Sequence, residues 1–449
     1  MATHSGDTPA LPPAMAQPIP AAPGATAEVL HSDAAPPGQK KASATYIWFQ
    51  VLGQFGVFVA FITPLAISLS IRLSSLAPTH QEYLGYITGS GALVVMLTAP
   101  LFGVLSDRTR SRIGRRKPFM IGGTVLGVVS LVVMALAPNA LVLGAGWILA
   151  QLGWGQVLQA LTTSMADSLS ESQRGKVAGL AGFATQVAPV VGVVIAGSFA
   201  GDALLLFLLP GAVGVIFVIL FVLFTKEADS RGARFADRLS VAGIFSKYIY
   251  NPRSYPDFSR AWVGRFLFYF GLTLNTTFSA FFFAERLGVS VAASAPIIAT
   301  LSLFGIVATT VGAIGGGFLS DRLRRRRVFV LGGGVLFGVG TVVMALASDL
   351  PVLIAGSLIV SAGIGMFAAV DQALVLDVLP ETATDAGRFM GIIGFATSIP
   401  QAVAPFVAPL LLGIGVASAG HKNYTLLYLV AGVFTVLAGV VIMRIRSVR

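Results

Sequence analysis

The chain has 449 residues, 55% of them hydrophobic and only 11% charged, with a formal net charge of +11. Soluble domains carry about 25% charged residues, so this mixture, with a mean hydropathy of +0.84, cannot cover a water-facing surface and points to a bilayer as solvent. The absence of cysteine excludes disulfide frameworks, thiolate metal sites and cysteine nucleophiles together.

Residues 1–44 are rich in Ala and Pro and hold no apolar run long enough for a signal-peptide core, so they are expected to form a disordered cytoplasmic tail. Beyond them, apolar runs lie near 46–71, 83–105, 118–137, 141–165, 177–199 and 203–224, and again near 262–284, 293–319, 328–347, 351–376, 389–413 and 424–443. Each is about as long as the ~20 residues a helix needs to cross hydrocarbon, and none alternates as a barrel strand does. The sequence therefore predicts an all-α polytopic membrane protein with twelve transmembrane helices. A six-helix bundle over 45–224 is followed by a cytoplasmic central loop over 225–260, a second six-helix bundle over 261–445 and a cytoplasmic end at 446–449.

With the N-terminus inside, 26 of the 30 Lys and Arg residues fall on the cytoplasmic side; Arg72, Arg286 and Lys422 fall outside, and Arg265 lies about one turn inside the seventh span. This positive-inside bias places both termini in the cytoplasm and accounts for the basic balance without nucleic acid. Arg265 is close enough to its span end to read as snorkelling to the interface.

The two sets of six spans repeat one another. Leu105-Ser106-Asp107-Arg108 recurs as Leu319-Ser320-Asp321-Arg322, and Gly182-Phe183-Ala184-Thr185 as Gly394-Phe395-Ala396-Thr397. Asp167, closing the fourth span, matches Asp377, closing the tenth. Such duplication predicts a solute site between the halves near mid-membrane, reached alternately from either side. An acid at a span end followed by clustered arginines, as in the stretch from Gly103 to Phe119, predicts a clasp: Asp107 can face a neighbouring helix N-terminus while the arginines reach other carboxylates. Gly103 allows close helix approach.

This loop, Gly103-Val104-Leu105-Ser106-Asp107-Arg108 followed by Gly114-Arg115-Arg116-Lys117, resembles the signature of the major facilitator superfamily, with four extra residues between Arg108 and Gly114. The longer form, together with Gln54-Phe55-Gly56, Thr63-Pro64 and Ala166-Asp167, is similar to the sucrose-proton symporters and the glycoside-pentoside-hexuronide cation symporters. The resemblance implies a gate in which Asp107, Arg108, Arg112 and Arg115 clasp Asp167, with Asp321, Arg322 and Asp377 as the counterpart in the second half. The arginine that many proton-coupled members carry in span 4 is missing here, and Thr225-Lys226-Glu227 stands where glucose facilitators carry a P-E-S-P-R motif.

Polar side chains within the spans outline a cavity: Gln50 and Gln54 in the first, Gln151, Trp154 and Gln159 in the fourth, Gln186 in the fifth, Tyr269 and Asn275 in the seventh, and Gln401 in the eleventh. Amides donate and accept, which suits a hydroxyl-rich neutral solute, and an aromatic face packs on sugar C–H groups. Interhelical hydrogen bonding is the competing reading of each glutamine. Asp371, beside Gln372, is the acid lying well inside a span; it needs a partner, a proton or water, and is assigned to the coupling proton or to substrate contact, with a structural cap or salt bridge in the cytoplasmic third of the bundle as the competing reading. The four histidines lie outside the spans, no phosphate-binding loop or nucleophile–base pair is present, and no cofactor, metal or enzymatic role is expected. The expectation is a monomeric secondary transporter of the cytoplasmic (inner) membrane that moves a sugar or glycoside with a proton. Two alternatives stand beside it: proton-driven efflux of an amphipathic compound, favoured by 31 phenylalanines and the Pro189 region, and a membrane sensor that binds solute without moving it.

Overall fold

A computed structural model describes residues 41–232, 250–380, 386–416 and 422–448. Most of the expected N-terminal tail, much of the central loop, His421 and residue 449 lie outside them. The described residues form helices α1 (Ala44–Thr63), α2 (Leu69–Leu76), α3 (Tyr83–Asp107), α4 (Lys117–Ala135), α5 (Ala140–Ser168), α6 (Glu171–Ser198) and α7 (Ala203–Phe224) in the first half. The second half holds α8 (Pro256–Thr277), α9 (Ser279–Leu287), α10 (Val291–Leu323), α11 (Arg326–Leu346), α12 (Leu350–Asp377), α13 (Ala386–Gly413) and α14 (Tyr424–Ile442). Eleven spans are long and apolar enough to cross a membrane, and the pair α8–α9, bent by 51°, completes the twelve that the sequence predicts.

Several starts are written locally. The side chains of Ser43, Asn139, Asp202, Ser290, Asp349 and Asn423 each accept from a backbone N–H of the first turn, satisfying donors that an uncapped helix would leave bare in an apolar medium. Leu141, Leu223 and Leu410 are among the large apolar side chains left exposed on the outer surface, as lipid contact requires.

The halves share one packing plan. In the first, α4 packs on α5, α3 on α5, and α1 on both α6 and α7; in the second, α11 packs on α12, α10 on α12, and α8 on both α13 and α14. Their first spans also break in the same register. A π-helical turn, Pro64–Ser68, separates α1 from α2, because Pro64 has no N–H to give the preceding turn. The α8–α9 break falls at Phe278, which precedes Asp321 by as many residues as Pro64 precedes Asp107.

Two seams join the halves, α3 against α13 and α6 against α10, and these pairs exchange when the repeats are exchanged. Both close on the face opposite the termini. A Cβ on Gly85 would lie 2.2 Å from the carbonyl oxygen of Pro405, and one on Gly197 would lie 2.8 Å from the Ala295 side chain. Toward the terminal face the same helices turn to open space: a Cβ at Gly175, Gly179 or Gly182 of α6, or at Gly387 of α13, would meet nothing within 4 Å.

Candidate functional site

The terminal face carries two clasps, and their centres are arginines that the sequence reading passed over. In the first half Arg116, 4% exposed, stands just before α4; its Nη2 lies 2.5 Å from Asp107 Oδ1 and its Nε 3.1 Å from Asp167 Oδ2, while Nη1 donates to Ser106 Oγ at 2.9 Å. Arg115 adds a second contact to Asp167 at 2.9 Å. Arg112, expected in this clasp, is exposed in the loop and has no carboxylate partner among the described residues, and Arg108 is half-buried. In the second half Arg326 pairs with Asp377 at 2.7 Å and Asp321 at 3.3 Å, whereas Arg322, the expected partner, is exposed.

Both corrections have one cause. The arginine that can reach two acids is the one at the start of the helix following the loop, held by the helix rather than by the loop. Arg116 to Asp167 and Arg326 to Asp377 have the same sequence separation, 51 residues. Aligning the repeats after removing the four extra residues before Gly114 would have paired Arg116 with Arg326. Each clasp joins three helices of one half; neither crosses to the other.

The first clasp is braced from below. Gly114, at φ +96°, turns the loop so that Glu227 packs against it, and Glu227 Oε2 accepts from the Arg116 N–H at 3.1 Å. Burial pushes the Glu227 carboxyl up, and the N–H groups of Arg116 and Lys117 offset part of that rise. Ser230 and Ser111 exchange further hydrogen bonds, so the chain leaving α7 holds the loop leaving α3.

Within the spans, some expected cavity residues are packing elements. Trp154 is fully buried, facing the glycine faces of Gly127 and Gly214 inside the first half, and does not line a passage. Gln50 donates to the Leu161 carbonyl at 2.9 Å and Gln159 to the Ala99 carbonyl at 3.3 Å, so both are interhelical ties. The void beside Gly103, Ser106, Arg116 and Gln159 measures about 10 Å³, room for a water at most. Gln54 and Asn275 are buried, and Gln151 and Tyr269 are half-buried, with no comparable side-chain tether; the Asn275 amide nitrogen has no partner. Gln186 and Gln401 are exposed.

Arg265 does not snorkel. Its Nε lies 2.8 Å from Asp371 Oδ2, with side-chain exposures of 3% and 1%, and its Nη2 donates to Gln372 Oε1 at 3.0 Å. Arg265 stands nine residues into α8 and Asp371 six residues from the end of α12, about 14 Å and 9 Å from the terminal face at the helical rise. Neither Asp371 oxygen has a hydrogen-bond partner, and neither has Arg265 Nε, so the pair is held by the charge contact alone. Among the described residues no group of His, Asp and Glu could hold a metal ion.

Comparison with known proteins agrees with this architecture. The family described as Major Facilitator Superfamily matches residues 43–316 and 261–449. The chain is 24% identical over 293 residues to Multidrug resistance protein 2 of Bacillus subtilis, covering 64% of this chain and 71% of that protein. It is 39% identical over 85 residues to the General alpha-glucoside permease of Schizosaccharomyces pombe, 19% of this chain and 14% of that protein. Among solved structures, the nucleoside transporter NupG superposes with a TM-score of 0.69 at 12% identity, covering 90% of this chain and 99% of NupG. A bacterial homologue of the lysosomal transporter Spinster, solved in an inward-facing conformation, superposes with a TM-score of 0.64 at 17% identity, covering 90% and 97%.

Proposed function

The chain belongs to the Major Facilitator Superfamily, a multi-pass membrane transporter and not an enzyme, and on that premise we propose that it carries a small polar solute, a sugar or glycoside, together with a proton across the cytoplasmic membrane. The observation that carries the reading is the buried pair of Asp371 and Arg265, an ion contact in which neither carboxylate oxygen accepts a hydrogen bond. An ionised carboxylate out of water is costly unless every oxygen is matched, and here neither oxygen accepts a hydrogen bond. A proton on Asp371 removes that cost and loosens Arg265, so the state of this pair couples proton uptake to the packing of α8 against α12. Gln54, Gln151 and Asn275, the amides without a side-chain tether, offer donors and acceptors to hydroxyl groups, and the similarity to the glucoside permease favours the same solute class.

The basic bias favours cytoplasmic termini, which makes the closed seams the outer ones and the conformation inward-facing. Each clasp then keeps three helices of a half together as one body while the halves rock, with Asp107, Arg116 and Asp167 in the first and Asp321, Arg326 and Asp377 in the second. Counterflow in proteoliposomes with a panel of sugars and glycosides, with and without a pH gradient, tests the proposal. Asp371→Asn is expected to abolish pH-driven accumulation while counterflow persists; accumulation at the wild-type level would refute the coupling role. The similarity to Multidrug resistance protein 2 supports a second reading, proton-driven efflux, and export of amphipathic dyes without sugar exchange would establish it.

A further inference from the structure

Three basic residues stand on the far face, opposite the termini. Arg72 and Arg286 are equivalent in the two repeats, and each donates within its own half: Arg72 to the Ala137 carbonyl at 2.8 Å, and Arg286 to the Ala345 carbonyl and to Thr425 Oγ1. Lys422 differs, because its Nζ lies 2.7 Å from Glu82 Oε2 in the other half. Glu82 sits in the turn before α3 and Lys422 in the turn before α14. The neighbouring residues cross the same gap, the Tyr424 hydroxyl donating to Gln81 Oε1. His80 Nδ1 holds the second carboxylate oxygen of Glu82 at 2.9 Å, and its ring stacks on Tyr83. The lysine and glutamate side chains are 16% and 19% exposed, so solvent screens the pair only in part.

We propose that Glu82 and Lys422, seconded by Gln81 and Tyr424, form a latch that holds the two halves together on the far face and sets the balance between the two access states. Elsewhere the seams include apolar side chains packed on small residues, Gly89 against Phe406 and Gly197 against Ala295. Such contacts discriminate poorly between closed and open, since lipid tails can replace part of what they lose. An ion pair at the rim does discriminate. It is also not a relic of duplication: the equivalent positions in the opposite repeats are Pro296 and Gly201, which carry no charge.

The chain has no cysteine, so a single reporter can be placed at will. Ala295 is 1% exposed in the other seam, α6 against α10, where its labelling reads opening of the whole face and not local damage at the latch. With Ala295→Cys in proteoliposomes and an impermeant maleimide on the far side, Glu82→Gln and Lys422→Gln are each expected to raise the labelling rate roughly threefold or more. Combining the two should add little to either, and the reversal Glu82→Lys with Lys422→Glu should return most of the protection. Unchanged rates in the single variants would overturn the latch, as would additive singles or a reversed pair labelled as fast as the singles. Either single variant suffices if the other does not express, and none of these outcomes depends on the solute or on Asp371.

Discussion

Arg112 and Arg116 are four residues apart and alike in chemistry, yet one lies in solvent and the other touches three polar side chains. Replacing Arg116 with Ala leaves Asp107 and Asp167 facing each other without a nearly buried guanidinium, an expected loss of about 2 kcal/mol; Arg112→Ala should change stability by no more than ~0.5 kcal/mol. Arg326, more exposed than Arg116, should cost about 1 kcal/mol or less. Thermal unfolding in detergent orders the three. The acids of both clasps were legible in the sequence, because an acid ending an apolar run is unmistakable. The choice among five arginines in one loop was not, since it depends on where α4 begins and in which direction its first residue points. The same limit applies inside the spans: a glutamine that ties two helices and one that faces a cavity have identical sequence neighbourhoods, and Trp154 is assigned to packing only by Gly127 and Gly214, far from it in the chain. Arg265 looked peripheral because its partner, Asp371, lies more than a hundred residues away.

At the level of elements, the spans were legible because hydrocarbon thickness dictates their length, and the repeat because its motifs recur in order. The breaks were less so. Pro64 marks a weak point in the first span, but Phe278 carries no signal, and only its equivalence to Pro64 makes it intelligible. The crossing of α3 over α13 was invisible in the sequence, since it relies on glycines that resemble the many others in the chain. It makes a sharp prediction. A methyl group at Gly85 would meet the Pro405 carbonyl oxygen at 2.2 Å, a backbone atom that cannot rotate aside. Gly85→Ala should therefore prop the far face open, slow transport, and speed maleimide labelling at Ala295→Cys, whereas Gly122→Ala, where a Cβ meets nothing within 4 Å, should leave both unchanged.

For the whole molecule, the proposed latch predicts that the balance between access states carries a pH dependence from the far rim. Burial alone would raise the Glu82 carboxyl, but hydrogen bonds from Lys422 and His80 outweigh it and hold the group below its usual range. A carboxyl so lowered contributes its stabilisation in full above the ordinary carboxylate range of about 4.3 and loses it as pH falls through the lowered value. Acidity slows the thiol itself, so labelling at Ala295→Cys is read as its ratio to the same reporter beside Glu82→Gln; that ratio should stay flat down to that range and rise toward one below it. The two-lobed plan behind this was evident from the repeats; which face is shut was not, because closure is decided by contacts between halves that share no local pattern. Each half wears a collar of arginines on the terminal side, from Arg108 to Arg116 in one and from Arg322 to Arg327 in the other. Sliding either half through the bilayer like a piston would drag hydrated guanidinium groups into hydrocarbon, at about 2.5 to 3.5 kcal/mol apiece even on the lenient insertion scales. Such a stroke is costly for both halves, which favours, for the proposed transport cycle, a tilt about an axis lying in the plane of the membrane.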